Sequence, residues 1–179
     1  MYTEEQILNT FASNPEKGIK MIMDTYQCII YNHIRRMVIS HQDAEDVMQE
    51  VFINIYRYLP RFKKESSLHT WIYKIATNES LRLIEAEKKR IKANDGESNE
   101  LLLDKLMSSD YVNYEDELKI KFQKAILELP DKQRIVFNLR YYDELTYEEI
   151  NGITGISVDS LKVNYHYAKD KIKSYILNN

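Results

Sequence analysis

Hydrophobic positions recur at helical spacing along most of the chain, and they divide it into helices with readable starts and stops. Thr3 with Gln6 reads as a capping box opening a short helix, with Ile7, Leu8 and Phe11 on one face. Asn14-Pro15 marks a second start, since proline is tolerated at the first helical position. Ile19, Ile22, Met23, Tyr26, Ile29, Ile30, His33, Ile34, Met37 and Val38 then follow at three- and four-residue steps. A third helix is predicted from about Gln42 to Leu59, with Ala44, Val47, Met48, Val51, Phe52, Ile55 and Leu59 apolar, and Pro60 ends it. A polar loop, Arg61 to Ser67, leads to a fourth helix capped by Ser67 and reaching about Ile91. Its inner residues are Leu68, Trp71, Ile72, Ile75, Ala76, Leu83 and Ile84.

The pattern then changes. Asn94-Asp95-Gly96, Ser98-Asn99 and Ser108-Ser109-Asp110 are turn and linker chemistry. Leu101, Leu102, Leu103, Leu106 and Met107 interrupt it, and a solvated linker rarely carries such a group. A transient helix, or docking on a partner, is expected there. A C-terminal module starts near Asn113 or Tyr114. Leu118, Phe122, Ile126 and Leu129 line a helix stopped by Pro130, and Asp131 begins another containing Ile135, Val136, Phe137, Leu139 and Tyr142. Thr146 with Glu149 forms a second capping box, Gly155 can supply a left-handed turn, and Ser157 caps a final helix to about Leu177.

Composition supports an all-α chain. It has only four glycines and three prolines, where average usage would give roughly three times as many. With 44% hydrophobic and 30% charged residues, global disorder is not expected. The single cysteine, Cys28, excludes an internal disulfide and a cysteine-based metal cluster; beside Ile29 and Ile30 it reads as a small core residue. Met1 to Phe11 is acidic and lacks the apolar stretch of a signal peptide, and the apolar runs are short. The expectation is a cytoplasmic chain without membrane insertion.

Charge changes the picture further. A net charge of −3 and a pI near 5.9 argue against a protein that coats nucleic acid unaided. The distribution is uneven, however. Arg61 to Lys92 holds nine Lys/Arg and four Glu, a net of +5; Ala93 to Leu118 holds eight Asp/Glu and one Lys, a net of −7. Basic, then acidic, then mildly basic suggests two nucleic-acid-facing modules joined by an acidic connector.

Three patterns carry candidate chemistry. Thr146 to Lys173 has the order of a helix-turn-helix, whose second helix would enter a major groove. That helix offers Asp159, Ser160, Lys162, Val163, Asn164, His166 and Tyr167, backed by Val158, Leu161, Tyr165, Ala168 and Ile172. On spacing alone a plain helical hairpin fits too. In the basic segment, Lys63, Lys64, Ser66, Ser67, His69, Tyr73, Lys74, Asn78 and Arg82 mix cations, hydrogen-bonding groups and an aromatic. Such a mixture suits single-stranded DNA, and on composition alone it also suits a solvated helix face. Asp43, Asp46 and Glu50 form an acidic helical stripe without the loop spacing of a calcium site. His33, His41, His69 and His166 lack metal-ligand spacing, and neither a phosphate loop nor a nucleophile elbow occurs. No enzyme, metal or cofactor is expected.

Asp43-Ala-Glu-Asp-Val-Met-Gln-Glu-Val-Phe52, then Leu59-Pro-Arg-Phe62, then Ser66-Ser-Leu-His-Thr-Trp-Ile-Tyr-Lys-Ile-Ala-Thr-Asn78 closely resembles region 2 of extracytoplasmic-function (ECF) sigma factors. Leu129 to Asp143, Leu145 to Ile150 and Thr154 to Val158 resemble region 4. The resemblance implies two small helical domains joined by an acidic linker: residues 1–92, 93–112 and 113–179. It implies that Asp46, Gln49, Glu50 and Phe52 grip core RNA polymerase. It implies that Lys63, Lys64, Ser66, Ser67, His69, Tyr73, Lys74, Asn78 and Arg82 take part in capturing the melted −10 strand of promoter DNA. Arg140, Ser160, Lys162, Val163, His166 and Tyr167 would face the −35 duplex. An anti-sigma factor is an implied partner. Trp71 matches a family tryptophan and is read as core.

The chain departs from the family in two places. The family often has more arginine where Val163, His166 and Tyr167 stand, so an unusual −35 motif is expected. Asn151-Gly152 replaces good helix formers, which predicts a short or kinked helix. Two competing functions remain compatible with parts of the pattern. A dimeric helix-turn-helix repressor or activator would need no region 2. A regulatory interaction protein would keep the fold without reading promoters.

Overall fold

The computed structural model describes residues 2–93, 101–108 and 117–178. The turn chemistry of Asn94–Gly96, Ser98-Asn99 and Ser109-Asp110, and the expected helix start at Asn113 or Tyr114, lie outside the described residues. Among the described residues the regular elements are helical: α1 (Glu4–Ser13), α2 (Pro15–Val38), α3 (His41–Tyr58), a 3-10 turn (Leu59–Arg61), α4 (Leu68–Ala93), α5 (Leu101–Ser108), α6 (Glu117–Leu127), α7 (Asp131–Tyr141), α8 (Tyr147–Thr154) and α9 (Val158–Asn178).

Local chemistry sets most of these boundaries. The Thr3/Gln6 capping box is formed in both directions. Asn14 caps α2 by accepting from the Lys17 N–H at 3.0 Å, with Pro15 in the first turn. α1 then folds back on α2 at Gly18. A Cβ there would fall 2.4 Å from the Phe11 Cα, so only glycine allows the approach. Ser40 accepts from the Asp43 N–H to start α3, and Ser67 accepts from the Thr70 N–H at 3.1 Å to start α4. The Glu4 carboxylate also accepts from the Leu68 N–H at 2.9 Å, so α1 helps hold the start of α4.

Helices α1 to α4 enclose the main core, whose fully buried members include Ile22, Ile34, Val51, Ile55, Leu68 and Ile72. The apolar run of the connector forms α5 and docks on its own chain. Leu102 and Leu106 are buried against Ile39 and Leu127. The Lys105 ammonium reaches Asp43 at 2.6 Å and Glu87 at 2.7 Å. Ile39 sits at the α2–α3 corner with φ of 65°, a conformation rare for a β-branched residue.

Helices α6, α7 and α9 bury Ala125, Ile126, Leu129, Phe137, Ala168 and Ile172 in a second, smaller cluster. The other apolar face of this module joins the first core. Val136, Leu139, Leu145, Ile150, Ile153 and Leu161 belong to the same buried cluster as the residues of α1 to α4. The C-terminal helices therefore close onto the N-terminal bundle, with α8 lying on α4 and α7 on α2.

Two expectations about burial need correction. Cys28 is exposed, not core: it lies with Gln27 and Ile29 on the outer face of α2, while Ile30 turns inward. Leu118 is 63% exposed at the start of α6, one turn before the helix meets the core. Trp71, expected in the core, is half-buried and packs against it, its ring 5.2 Å from Phe62 behind the polar loop.

Candidate nucleic-acid interface

The helix-turn-helix is assembled as its sequence signals require. Thr146 and Glu149 form their capping box. Gly155 closes α8 with φ of 72°, a left-handed position glycine takes without strain. Asn151 and Gly152, the departures from the family pattern, both have structural work. The Asn151 amide donates to the Ile156 carbonyl at 2.8 Å and braces the turn. Gly152 lets α8 approach α4: a Cβ there would stand 3.2 Å from the Thr70 methyl. The helix is short but runs unbroken from Tyr147 to Thr154.

Leu161, Ala168 and Ile172 bury the back of α9, and Tyr165 stacks on Phe137 with centroids 6.0 Å apart. This leaves Ser160, Lys162, Val163, His166 and Tyr167 exposed together on the outer side. Lys162 and His166 lie one turn apart, with acidic neighbours Asp159 at 3.8 Å and Asp170 at 3.3 Å respectively. Arg140 stands apart from this group. Its guanidinium donates to the Leu145 carbonyl at 2.8 Å and lies over the Tyr147 ring at 5.3 Å, holding the α7–α8 turn.

The residues nominated for the melted strand separate into three groups. Lys63, Lys64, Ser66 and Ser67 share an exposed loop, with Lys64 at φ of 56° and the Ser67 hydroxyl engaged in capping α4. Lys74 and Asn78 are exposed one turn apart on α4. Arg82 pairs with Glu79 at 2.7 Å and lines a cleft of about 190 Å³ with Asp46, Glu50 and Leu83, which places it beside the acidic stripe of α3. His69 and Tyr73 turn inward beneath the C-terminal module. His69 packs against Tyr26 and, at 4.7 Å, Tyr73. Tyr73 is 2% exposed.

Tyr73 leads into a buried polar cluster that sequence reasoning missed. Its hydroxyl donates to an Asp143 oxygen at 3.3 Å. His33 sits 2.9 Å from the other Asp143 oxygen through Nδ1, and 3.0 Å from Thr77 Oγ1 through Nε2. The Arg36 guanidinium pairs with the same carboxylate. Burial, then the Asp143 charge, push the Tyr73 hydroxyl well above its usual range, and Arg36 only partly opposes them. Burial also lowers the His69 imidazole, against the smaller upward pulls of Glu149 and Asp143. At the other end of the contact, Lys88 of α4 reaches Asp131 of α7 at 3.0 Å. The only sequence signal for the cluster was a histidine at helical spacing among isoleucines and methionines of α2.

On α3, Asp46, Gln49 and Glu50 are exposed in one stripe and Phe52 is half-buried. Among the described residues no group of His, Cys, Asp or Glu could hold a metal ion, and no helix is long and apolar enough to cross a membrane.

Comparison with known proteins reads the same two ends. Sigma-70 region 2 matches residues 22–90, and Sigma-70, region 4 matches residues 119–172. The ECF RNA polymerase sigma factor SigW of Bacillus subtilis is 33% identical over 162 residues, 87% of either chain. This chain belongs to the sigma-70 family, in its ECF group. The ECF RNA polymerase sigma-E factor of Escherichia coli K12 is 26% identical, over 97% of this ECF chain and 94% of that one. Two solved structures share the fold. The sigma factor RpoE of Bartonella quintana, solved with the anti-sigma factor NepR, has a TM-score of 0.73 at 19% identity, covering 89% of this chain and 97% of that one. CnrH, solved with the cytosolic domain of CnrY, has a TM-score of 0.70 at 16% identity, covering 97% and 96%.

Proposed function

We propose a division of labour for this ECF sigma factor, which directs core RNA polymerase to promoter DNA. Residues 1–92 form the module that binds polymerase and holds the melted −10 strand, 93–112 the linker, and 113–179 the module that reads the −35 duplex. The chain is a specificity subunit, not a catalyst, and acts in the cytoplasm. Its partners are core polymerase, promoter DNA and an anti-sigma factor, the kind of protein with which the sigma factor RpoE of Bartonella quintana was solved.

The observation that carries this reading is the placement of unlike surfaces on one chain. A polar stripe, Asp46, Gln49 and Glu50, stands clear on α3, and a capped recognition helix presents Lys162 and His166 on α9. An independent helix-turn-helix regulator has no use for the first. Opening a duplex costs on the order of a few kcal/mol per unstacked step, which a small chain of net charge −3 cannot supply. Loop lysines following phosphates and a held base offset part of that cost, and polymerase supplies the rest.

The test is reconstitution with core polymerase on sheared genomic DNA, with transcript 5′ ends mapped. Defined start sites sharing two upstream elements are expected. Replacing Asp46, Gln49 and Glu50 together with Ala should abolish assembly while circular dichroism stays unchanged. Sub-micromolar, sequence-specific duplex binding by the free chain at physiological salt would count against the reading, as would normal assembly by the folded triple variant.

A further inference from the structure

We propose that the Asp143 carboxylate is an intramolecular lock, which holds the C-terminal module over the His69–Tyr73 side of α4 and leaves the polymerase-facing stripe of α3 free. The inference rests on the division of labour above.

Asp143 belongs to the turn after α7, yet its side-chain partners described above come from the other module: His33 and Arg36 on α2, and Tyr73 on α4. Its side chain is 4% exposed. A buried carboxylate needs such donors, and removing it leaves Arg36 in a pocket built for a pair. The cluster is therefore satisfied when the modules are closed, and water can satisfy it when they part. Intermediate positions strand a charge, which makes the contact two-state. Gly152 against Thr70 and Lys88 with Asp131 extend the same contact to either side.

The masking is selective. In the closed chain Tyr73 is buried and His69 half-buried. Asp46, Gln49 and Glu50 are exposed, and so are Lys162, Val163, His166 and Tyr167. Closure is also incompatible with reading both promoter elements at once. The −10 and −35 elements are separated by about 25 base pairs, roughly 85 Å at a rise of ~3.4 Å per step. A compact chain of this length has a radius of gyration near ~16 Å. The closed chain can thus be met by polymerase at α3, while His69 and Tyr73 stay withheld from a melted strand until the Asp143 contact breaks.

The experiment uses the full chain in two forms. Asp143→Ala should raise the radius of gyration in small-angle scattering above that of the unmodified chain, with helical content unchanged. Thr70→Cys with Gly152→Cys, in a Cys28→Ser background, places two thiols where a bridge can form across the contact. Oxidised, this chain should still bind core polymerase but lose at least tenfold in open-complex formation, and reduction should restore it. Equal compactness of Asp143→Ala and the unmodified chain, or full open-complex formation by the oxidised chain, overturns the lock. Failure of the unmodified chain to support transcription sinks the sigma reading instead, while scattering still decides the lock.

Discussion

The two candidate DNA-facing surfaces of this chain are built differently. On α9 a single helix buries Leu161, Ala168 and Ile172 behind, and everything it offers to a duplex stands in front on the same element. On α4 the helix is shared between three neighbours: its Leu68–Ile72–Ala76 side enters the first core, its Lys74–Asn78 side faces solvent, and its His69–Tyr73 side is roofed by α8. The first surface is complete in the free chain, and the second is complete only after a rearrangement. A helix that serves two packing partners cannot show all of its functional residues in one state.

The strongest challenge to this contrast is to the shared core. Leu161 lies on α9 but packs in the cluster that includes Ile34 and Ile72. Leu161→Ala should cost about 2–5 kcal/mol, and both modules should melt together in one calorimetric transition. Two separate transitions, with only one displaced, would mean that the modules do not share a core.

A smaller effect should separate the two surfaces by substrate. Lys162→Ala should weaken −35 recognition in holoenzyme by about 1–3 kcal/mol if the contact is to a base, and transcription from a pre-opened bubble should persist. Replacing Ser66 and Ser67 with Leu should do the reverse. Equal losses on duplex and pre-melted templates for both variants would erase the distinction between the surfaces.

Tyr73→Phe keeps the ring and removes one hydrogen bond to Asp143. It should shift the closed–open balance by about 0.5–1.5 kcal/mol, read as a modest expansion in scattering. No expansion would show that the hydroxyl contributes nothing to closure.

The smallest effect is one of pH. His69 faces Tyr26 from α2, Tyr73 from α4, Glu149 from α8 and Asp143 from the α7–α8 turn, and burial lowers its pKa below the ordinary 6.5 against the upward pulls of Glu149 and Asp143. A histidine lowered in the folded state stabilises that state fully above its unfolded-state pKa, and that contribution is lost as pH falls through the lower, folded-state value. Acidification from about pH 7.5 to about 5.5 should therefore lower the melting temperature slightly, and His69→Gln should remove that part of the pH dependence. An unchanged pH profile in the variant would assign the effect elsewhere.

Much of the fold was legible because its signals are local. The capping boxes at Thr3 and Thr146, the serine caps at Ser67 and Ser157, Pro130 and Gly155 all act within a turn or two of themselves. The exposed face of α9 followed from periodicity, since one helix decides both its back and its front. Periodicity was weaker at the margins. Cys28 and Leu118 sit at the edge or end of an apolar stripe, where neighbours decide burial. The apolar run of the connector predicted a helix or a docking segment, but not that Lys105 would tie it to Asp43 and Glu87.

By itself, the sequence determined the helices, their order, the family they belong to and the outward side of the recognition helix, because caps, breakers and helical spacing are encoded within a few residues. Tertiary structure alone decided that the two modules share a core, that Arg82 joins the acidic cleft of α3, that Arg140 braces a turn, and that His69 and Tyr73 lie covered. Asp143 meets His33 across 110 positions and Arg36 across 107. No local pattern encodes a partner that distant: a charged residue in a turn and a histidine in a helix look solvated or core-like until the chain brings them together and burial makes each require the other.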